Sequence, residues 1–214
     1  MRRARDFYET AEWQIRALLA HQAIAGTILE PCVGDGSIAR VLADVDGVHV
    51  VTNDVDPARP AACHCDAATA DLYRAVGPVD WVITNPPYRM PACTAIVARA
   101  VEHARVGVAM MLRISFREPT AKVHPRGPFL QAHPISRLLT LPRCSFTGNG
   151  KTDSATTEWA IWLTRPLRAN EPPVLSLYGA DRLGARVGGT PNAAVRDPTS
   201  QTAPGGAIVG QVRR

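Results

Sequence analysis

Apolar residues recur at near-helical spacing between positions 10 and 21, at Trp13, Ile15, Leu18 and Leu19. The spacing predicts a helix with Thr10 as its N-cap and Glu12 in its first turn, ended by Gly26. Short apolar runs follow at 27–29, 48–52, 80–84 and 106–112 and read as strands. Between them, 37–42, 71–76 and 92–103 read as helices. Alternation of this kind predicts an α/β fold, a parallel sheet with crossover helices.

Beyond Leu112 the periodicity fades. Residues 113–134 are rich in Pro, Arg and His, and 144–157 form a polar, glycine-containing loop. The apolar runs 138–141 and 158–164 predict an antiparallel hairpin at one sheet edge. From Arg168 onward Pro, Gly and Ala dominate. The expected organisation is therefore one domain over 1–167 and an extended tail over 168–214, apart from the apolar stretch 174–177.

Composition narrows the function classes. The 214 residues carry a net charge of +5, most of it from Arg, which makes a polyanion such as nucleic acid a candidate partner. Cysteines at 32, 63, 65, 93 and 144 lack paired CxxC spacing, and Cys63-His64-Cys65 is too tight for tetrahedral chelation, so reduced thiols and no metal are expected. The first residues are basic with no apolar run behind them, and no segment approaches the ~20 apolar residues of a membrane span. A soluble, cytoplasmic protein without membrane contact is expected.

Gly34-x-Gly36-x-x-Ala39 lies between a strand and a helix, and Asp54 stands twenty residues beyond Gly34. That spacing suits a nucleoside ligand, with glycines allowing close backbone approach and the acid accepting from ribose hydroxyls. Glu30, just ahead of the turn, would repel a pyrophosphate at the helix N-terminus but would suit an ammonium and a sulfonium, as in S-adenosylmethionine. Glu30 as a plain turn cap is the competing reading. Val55 would pack on the adenine face. Asp66 would accept from the adenine amino group, although a helix-capping Asp fits that position as well.

The sequence Thr84-Asn85-Pro86-Pro87-Tyr88-Arg89 follows an apolar strand. An exocyclic amino group that attacks a methyl sulfonium needs acceptors for both N–H bonds and a fixed line of approach. The Asn85 side-chain carbonyl and the Pro86 backbone carbonyl can accept, the prolines fix φ and remove competing donors, and Tyr88 offers a stacking face to a flipped base. A Pro-Pro strand terminator is the alternative for such a motif alone. No Pro-Cys nucleophile motif stands beside it, so direct in-line transfer without a covalent enzyme intermediate is expected.

Taken together, these segments resemble the S-adenosylmethionine-dependent DNA amino-methyltransferases, most closely the N6-adenine type with small phage-like members. The resemblance rests on Asp6-Phe7-Tyr8-Glu9-Thr10, on Glu30-Pro31-Cys32-Val33-Gly34-Asp35-Gly36 with Glu in place of the usual Asp, on Asn53-Asp54-Val55-Asp56, and on Asn85-Pro86-Pro87-Tyr88, in that order. It implies a Rossmann-like, seven-stranded, mostly parallel sheet with an antiparallel edge hairpin and helices on both faces. It implies S-adenosylmethionine as cofactor, held by Phe7, Tyr8, Thr10, Glu30, Pro31, Cys32, Gly34, Gly36, Asp54, Val55, Asp66 and Asn85. It implies catalysis by Asn85, Pro86, Pro87 and Tyr88, on double-stranded DNA with the base flipped out. The chain lacks a stretch long enough for a dedicated recognition domain, which leaves 113–134 and 142–157, with Arg113, Arg117, Lys122, Arg126, Arg137, Arg143 and Lys151, to contact phosphates. The same tetrapeptide serves enzymes acting on an RNA base, on cytosine N4 or on a protein glutamine N5, and a catalytically silent nucleic-acid-binding module is the further alternative.

Overall fold

The computed structural model describes residues 9–118, 126–143 and 156–177. Strands β1 Gly26–Glu30, β2 Val48–Thr52, β3 Trp81–Thr84, β4 Gly107–Arg113, β5 Arg137–Thr140, β6 Thr157–Leu163 and β7 Val174–Ser176 form one sheet in the order β2-β1-β3-β4-β6-β5-β7. β1, β2, β3 and β4 pair in parallel, β6 runs antiparallel to both β4 and β5, and β7 pairs parallel to β5. The helices are α1 Glu12–His21, α2 Ser37–Ala43, α3 Ala70–Val76, α4 Ala92–His103 and α5 Arg126–Ala132, with a 3-10 turn at Ile114–Arg117.

Successive strand residues feed opposite cores. Val108, Met110 and Leu112 of β4 pack with Leu72 of α3 and Ile96 and Val97 of α4, whereas Ala109 and Met111 pack with Ile15 and Leu18 of α1 and Ile38 and Leu42 of α2. The sheet is thus covered on both faces, which is why its central strands are continuous apolar runs and do not alternate. From β1 the chain moves to β2 on one side and then to β3 on the other, so the carboxyl ends of β1 and β3 flank a topological switch point. Ligands of open α/β sheets bind in the crevice at such a point.

Four details differ from the sequence expectation. The cap of α1 is Ala11, whose backbone N–H donates to the Gln14 side chain at 2.9 Å, while Thr10 is buried and faces Asn85. The segment ahead of Asp66 lies between the predicted strands, yet holds a parallel bridge between Asn53 and Cys63. The hairpin is not the edge of the sheet, because Val174–Ser176 adds a strand outside it. Finally, α5 forms from a sequence containing Gly127 and Pro128, which the first helical turn tolerates. Phe129 of that helix packs on Trp162 with ring centroids 6.3 Å apart. Among the described residues, no helix is long and apolar enough to cross a membrane and no His/Cys/Asp/Glu group could hold a metal ion.

Candidate active-site cleft

β1 delivers Glu30 to the start of the glycine turn, and the turn then depends on two left-handed residues, Gly34 at φ 57° and Gly36 at φ 82°. Gly36 is the N-cap of α2, where a side chain would be strained. Asp35 closes the turn by accepting from both the backbone N–H and the hydroxyl of Ser37. Across the switch point the Gly34 N–H donates to Asp54 Oδ2 at 2.9 Å, and Asp54 Oδ1 accepts from the Asp56 N–H. The acid at the tip of β2 is therefore locked against the glycine turn.

Asn53 fastens three segments at once. Fully buried, it donates to the Pro31 carbonyl at 2.9 Å and the Cys65 carbonyl at 3.0 Å, and accepts from the Cys65 N–H at 2.9 Å. Sequence reading placed it in the Asn53-Asp54-Val55-Asp56 segment but gave it no role of its own. The available signal was an amide at a strand end, where no solvent satisfies it and a neighbouring loop must.

Glu30 is 1% exposed, and its Oε2 meets no hydrogen-bond donor among the described residues. Burial pushes its carboxyl well above the usual carboxylate range; Asp35 and Asp54 push the same way, while the Ala39 backbone N–H and Arg40 only partly oppose them. Such an acid is poised for a cation.

β3 ends at Thr84, whose hydroxyl donates to the Cys32 carbonyl at 3.3 Å and so draws the tetrapeptide toward the glycine turn. Asn85 follows, its Nδ2 donating to Thr10 Oγ1 at 3.1 Å. Glu30, Pro31, Cys32, Gly34, Asp54 and Asn85 line one open cleft of about 730 Å³, together with Thr10, Val55, Asp66, Pro86 and Pro87. Gly36 lies behind the lining as the cap of α2, and Tyr88 stands beside the cleft with the Arg113 guanidinium 4.9 Å above its ring. Phe7 and Tyr8 lie outside the described residues. Asp66 does not cap α3, whose N-cap is Thr69; its Oδ1 instead accepts from the Ala68 N–H.

Two cationic cleft residues were not foreseen. Arg59 faces Asp56 at 3.8 Å, and Arg89 follows the tetrapeptide directly. The expected phosphate contacts divide. Arg137 is buried and donates to the Pro172 and His21 carbonyls; Arg126 is buried, donates to the Glu118 carbonyl and lies over Phe116. Both serve the fold and neither reaches solvent. Arg117 makes a two-pronged ion pair with the fully buried Glu158, at 2.6 and 3.2 Å, and Arg143 is exposed. Lys122 and Lys151 lie outside the described residues.

No family model and no curated protein matches the sequence. Solved structures do match the fold. A Listeria monocytogenes chain named for the class I S-adenosylmethionine-dependent methyltransferases aligns at a TM-score of 0.54 and 17% identity, over 81% of this chain and 67% of its own. A Pyrococcus horikoshii chain named as an RNA methyltransferase aligns at 0.54 and 15%, over 76% and 89%. The M protein of the type I restriction enzyme EcoKI aligns at 0.53 and 13%, over 78% of this chain and 45% of its own. At these identities the likeness is one of architecture: the chain has the Rossmann-like fold of the class I methyltransferases, with its cleft at the switch point of the sheet.

Proposed function

We propose that this cleft binds S-adenosylmethionine and that the protein transfers its methyl group to the exocyclic N6 amino group of adenine in DNA. The observation that carries the reading is the meeting of Asn85 and its prolines with Glu30, Gly34 and Asp54 in one cleft, although 51 residues separate Gly34 from Asn85.

The lining chemistry fits the cofactor. Glu30, Asp35, Asp54, Asp56 and Asp66 face the cleft against Arg59 and Arg89, a balance that disfavours a pyrophosphate and favours a cation. The buried Glu30 carboxyl would take the ammonium, and Val55, 65% exposed on the wall, offers an apolar face to adenine. Asp54 would accept from the ribose through the lone pairs that Gly34 and Asp56 leave to it. When bound, the cofactor supplies an electrophilic methyl group on its sulfonium.

The rest is work for the chain. Asn85 Oδ1 and the Pro86 carbonyl accept the two N–H bonds of the target amine, which returns lone-pair density to nitrogen and aims it at the methyl carbon. Pro86 and Pro87 hold those acceptors at fixed φ. Tyr88 stacks on the flipped base. A cysteine-linked route is disfavoured, since burial holds the Cys93 thiol at about 12 and the Cys32 thiol higher still.

The test is to incubate the protein with methyl-labelled cofactor and separate DNA, RNA and protein pools, then identify the modified group by mass. N6-methyladenine in the DNA pool is the expected product. Label confined to RNA, to cytosine N4 or to a glutamine amide would refute the adenine-DNA assignment and name the substrate. No label and no heat on cofactor titration would indicate a catalytically silent binding module.

A further inference from the structure

Most arginines of the cleft wall and of the expected phosphate contacts already have partners inside the protein. Arg59 faces Asp56, Arg117 is held by Glu158, Arg126 and Arg137 are buried on carbonyls, Arg113 covers Tyr88, and Arg143 donates to Thr156 at 3.2 Å. Arg89 differs. It is exposed, it lines the cleft next to Pro86 and Pro87, and among the described residues its side chain makes neither a hydrogen bond nor an ion pair. Three residues further on, Ala92 opens the 12-residue helix α4, whose first turn carries no acid and whose first residue also lines the cleft. The positive end of that helix and the Arg89 guanidinium thus add at one side of a cleft whose other charged lining is Glu30, Asp35, Asp54, Asp56 and Asp66 with Arg59.

We infer that Arg89 is a specificity-determining residue that binds the phosphodiester flanking the target base, so that the cleft accepts a nucleotide within a polynucleotide chain in preference to a free nucleoside or a peptide amide. The inference deepens the methyltransferase reading and rests on it. In the methyltransferase reading the target base stacks on Tyr88, and Arg89 is the next residue of the chain and lines the cleft. A planar guanidinium matches two phosphate oxygens, and such backbone contacts fix the register of a nucleic acid without reading its sequence. An unpaired guanidinium keeps its full charge for this purpose, whereas one already bound to a carboxylate would have to break that pair first.

The experiment uses the full chain and the variants Arg89→Gln and Arg89→Lys, each checked for an unchanged melting temperature. A fluorescein-labelled duplex of mixed sequence and its RNA counterpart are titrated over a range of salt concentrations, and S-adenosylhomocysteine is titrated by calorimetry. For Arg89→Gln, polynucleotide affinity falls about 5- to 10-fold and the slope of log K against log salt shrinks by about 0.9, the share of one phosphate contact. Arg89→Lys recovers most of the slope but less of the affinity, and S-adenosylhomocysteine binding stays within about two-fold. An unchanged slope in Arg89→Gln overturns the inference, and so does a selective loss of S-adenosylhomocysteine affinity, which would assign Arg89 to the cofactor carboxylate. The two readings fail separately. Methylation of RNA with the slope loss seen on RNA would remove adenine in DNA and keep Arg89 as the phosphate anchor, and label confined to protein would remove both.

Discussion

Replacement of Glu30 by Gln gives the sharpest test of how the cleft holds its cofactor, because binding and stability should move in opposite directions. The Glu30 carboxyl is buried with Oε2 meeting no donor among the described residues, and burial, aided by Asp35 and Asp54, raises its pKa well above the ordinary value of 4.5. An ammonium binds the ionised form. Below the raised pKa, binding must expel a proton, so affinity climbs up to tenfold per pH unit and levels off once Glu30 is ionised. Above about 7.7–8.0 an α-amino group loses its own proton, so the profile is a bell. A charge-assisted hydrogen bond contributes about 1.5–3 kcal/mol, and Glu30→Gln should therefore weaken binding about 10- to 150-fold at the optimum and erase the acid limb. Stability follows the opposite sign. Because the folded-state pKa is raised, the folded protein keeps a proton that the unfolded chain gives up near 4.5, and stability falls as pH rises from there through the raised value. Glu30→Gln removes that fall, so at alkaline pH it should melt no lower than the parent. Calorimetry of S-adenosylmethionine across pH, in buffers of different ionisation enthalpy, measures affinity and released protons together. Unchanged affinity with an unchanged acid limb in Glu30→Gln would refute the reasoning and leave Glu30 as a turn residue.

Other residues make separate predictions. Asn85→Ala should lower the rate of methyl transfer by at least about 10²-fold while S-adenosylhomocysteine affinity, read by calorimetry, stays within a few-fold. Asn53→Ala deletes three hydrogen bonds that join the Pro31, β2 and Cys65 segments and should cost about 2–4 kcal/mol in urea unfolding, with weakened cofactor binding as a consequence. Arg117→Met strands the carboxylate of the fully buried Glu158 and should cost about 2–3 kcal/mol, below the range for a wholly buried pair because Arg117 is partly exposed. Adding Glu158→Gln to Arg117→Met should restore most of that loss, and denaturant midpoints of the single and double variants check it.

The parallel half of the fold was legible because burial on both faces writes itself as uninterrupted apolar runs, and β2 and α4 fall where the pattern put them. The departures arise where long-range partners outrank local signals. Thr10 reads as a helix cap, yet an amide 75 residues away holds its hydroxyl, and the cap is supplied by Gln14. In α5 a local preference against Gly and Pro is overridden by packing of Phe129 and Leu130 on the core. Val174–Ser176 carries no period of its own and becomes a strand only because β5 presents an edge to it.

The same logic governs the site. Glycines, acids and the tetrapeptide were readable because each is constrained by the backbone it must adopt, whereas a surplus of arginine says nothing about where those arginines point. Arg137 ties β5 to the end of α1 and to the Pro172 segment, and Arg126 lies on Phe116, so both contribute to the net charge without presenting a guanidinium to solvent. Charge therefore overstates the surface available to a polyanion. What decides recognition is the subset of cations with no internal partner and a place on the cleft wall, and in the described structure that criterion selects Arg89 beside the catalytic turn. If an Arg89 variant and an Arg137 variant reduced the salt slope equally, the distinction between structural and available arginines would fail, because a buried guanidinium bonded to two carbonyls neutralises no phosphate and so releases none of the nucleic acid's counterions.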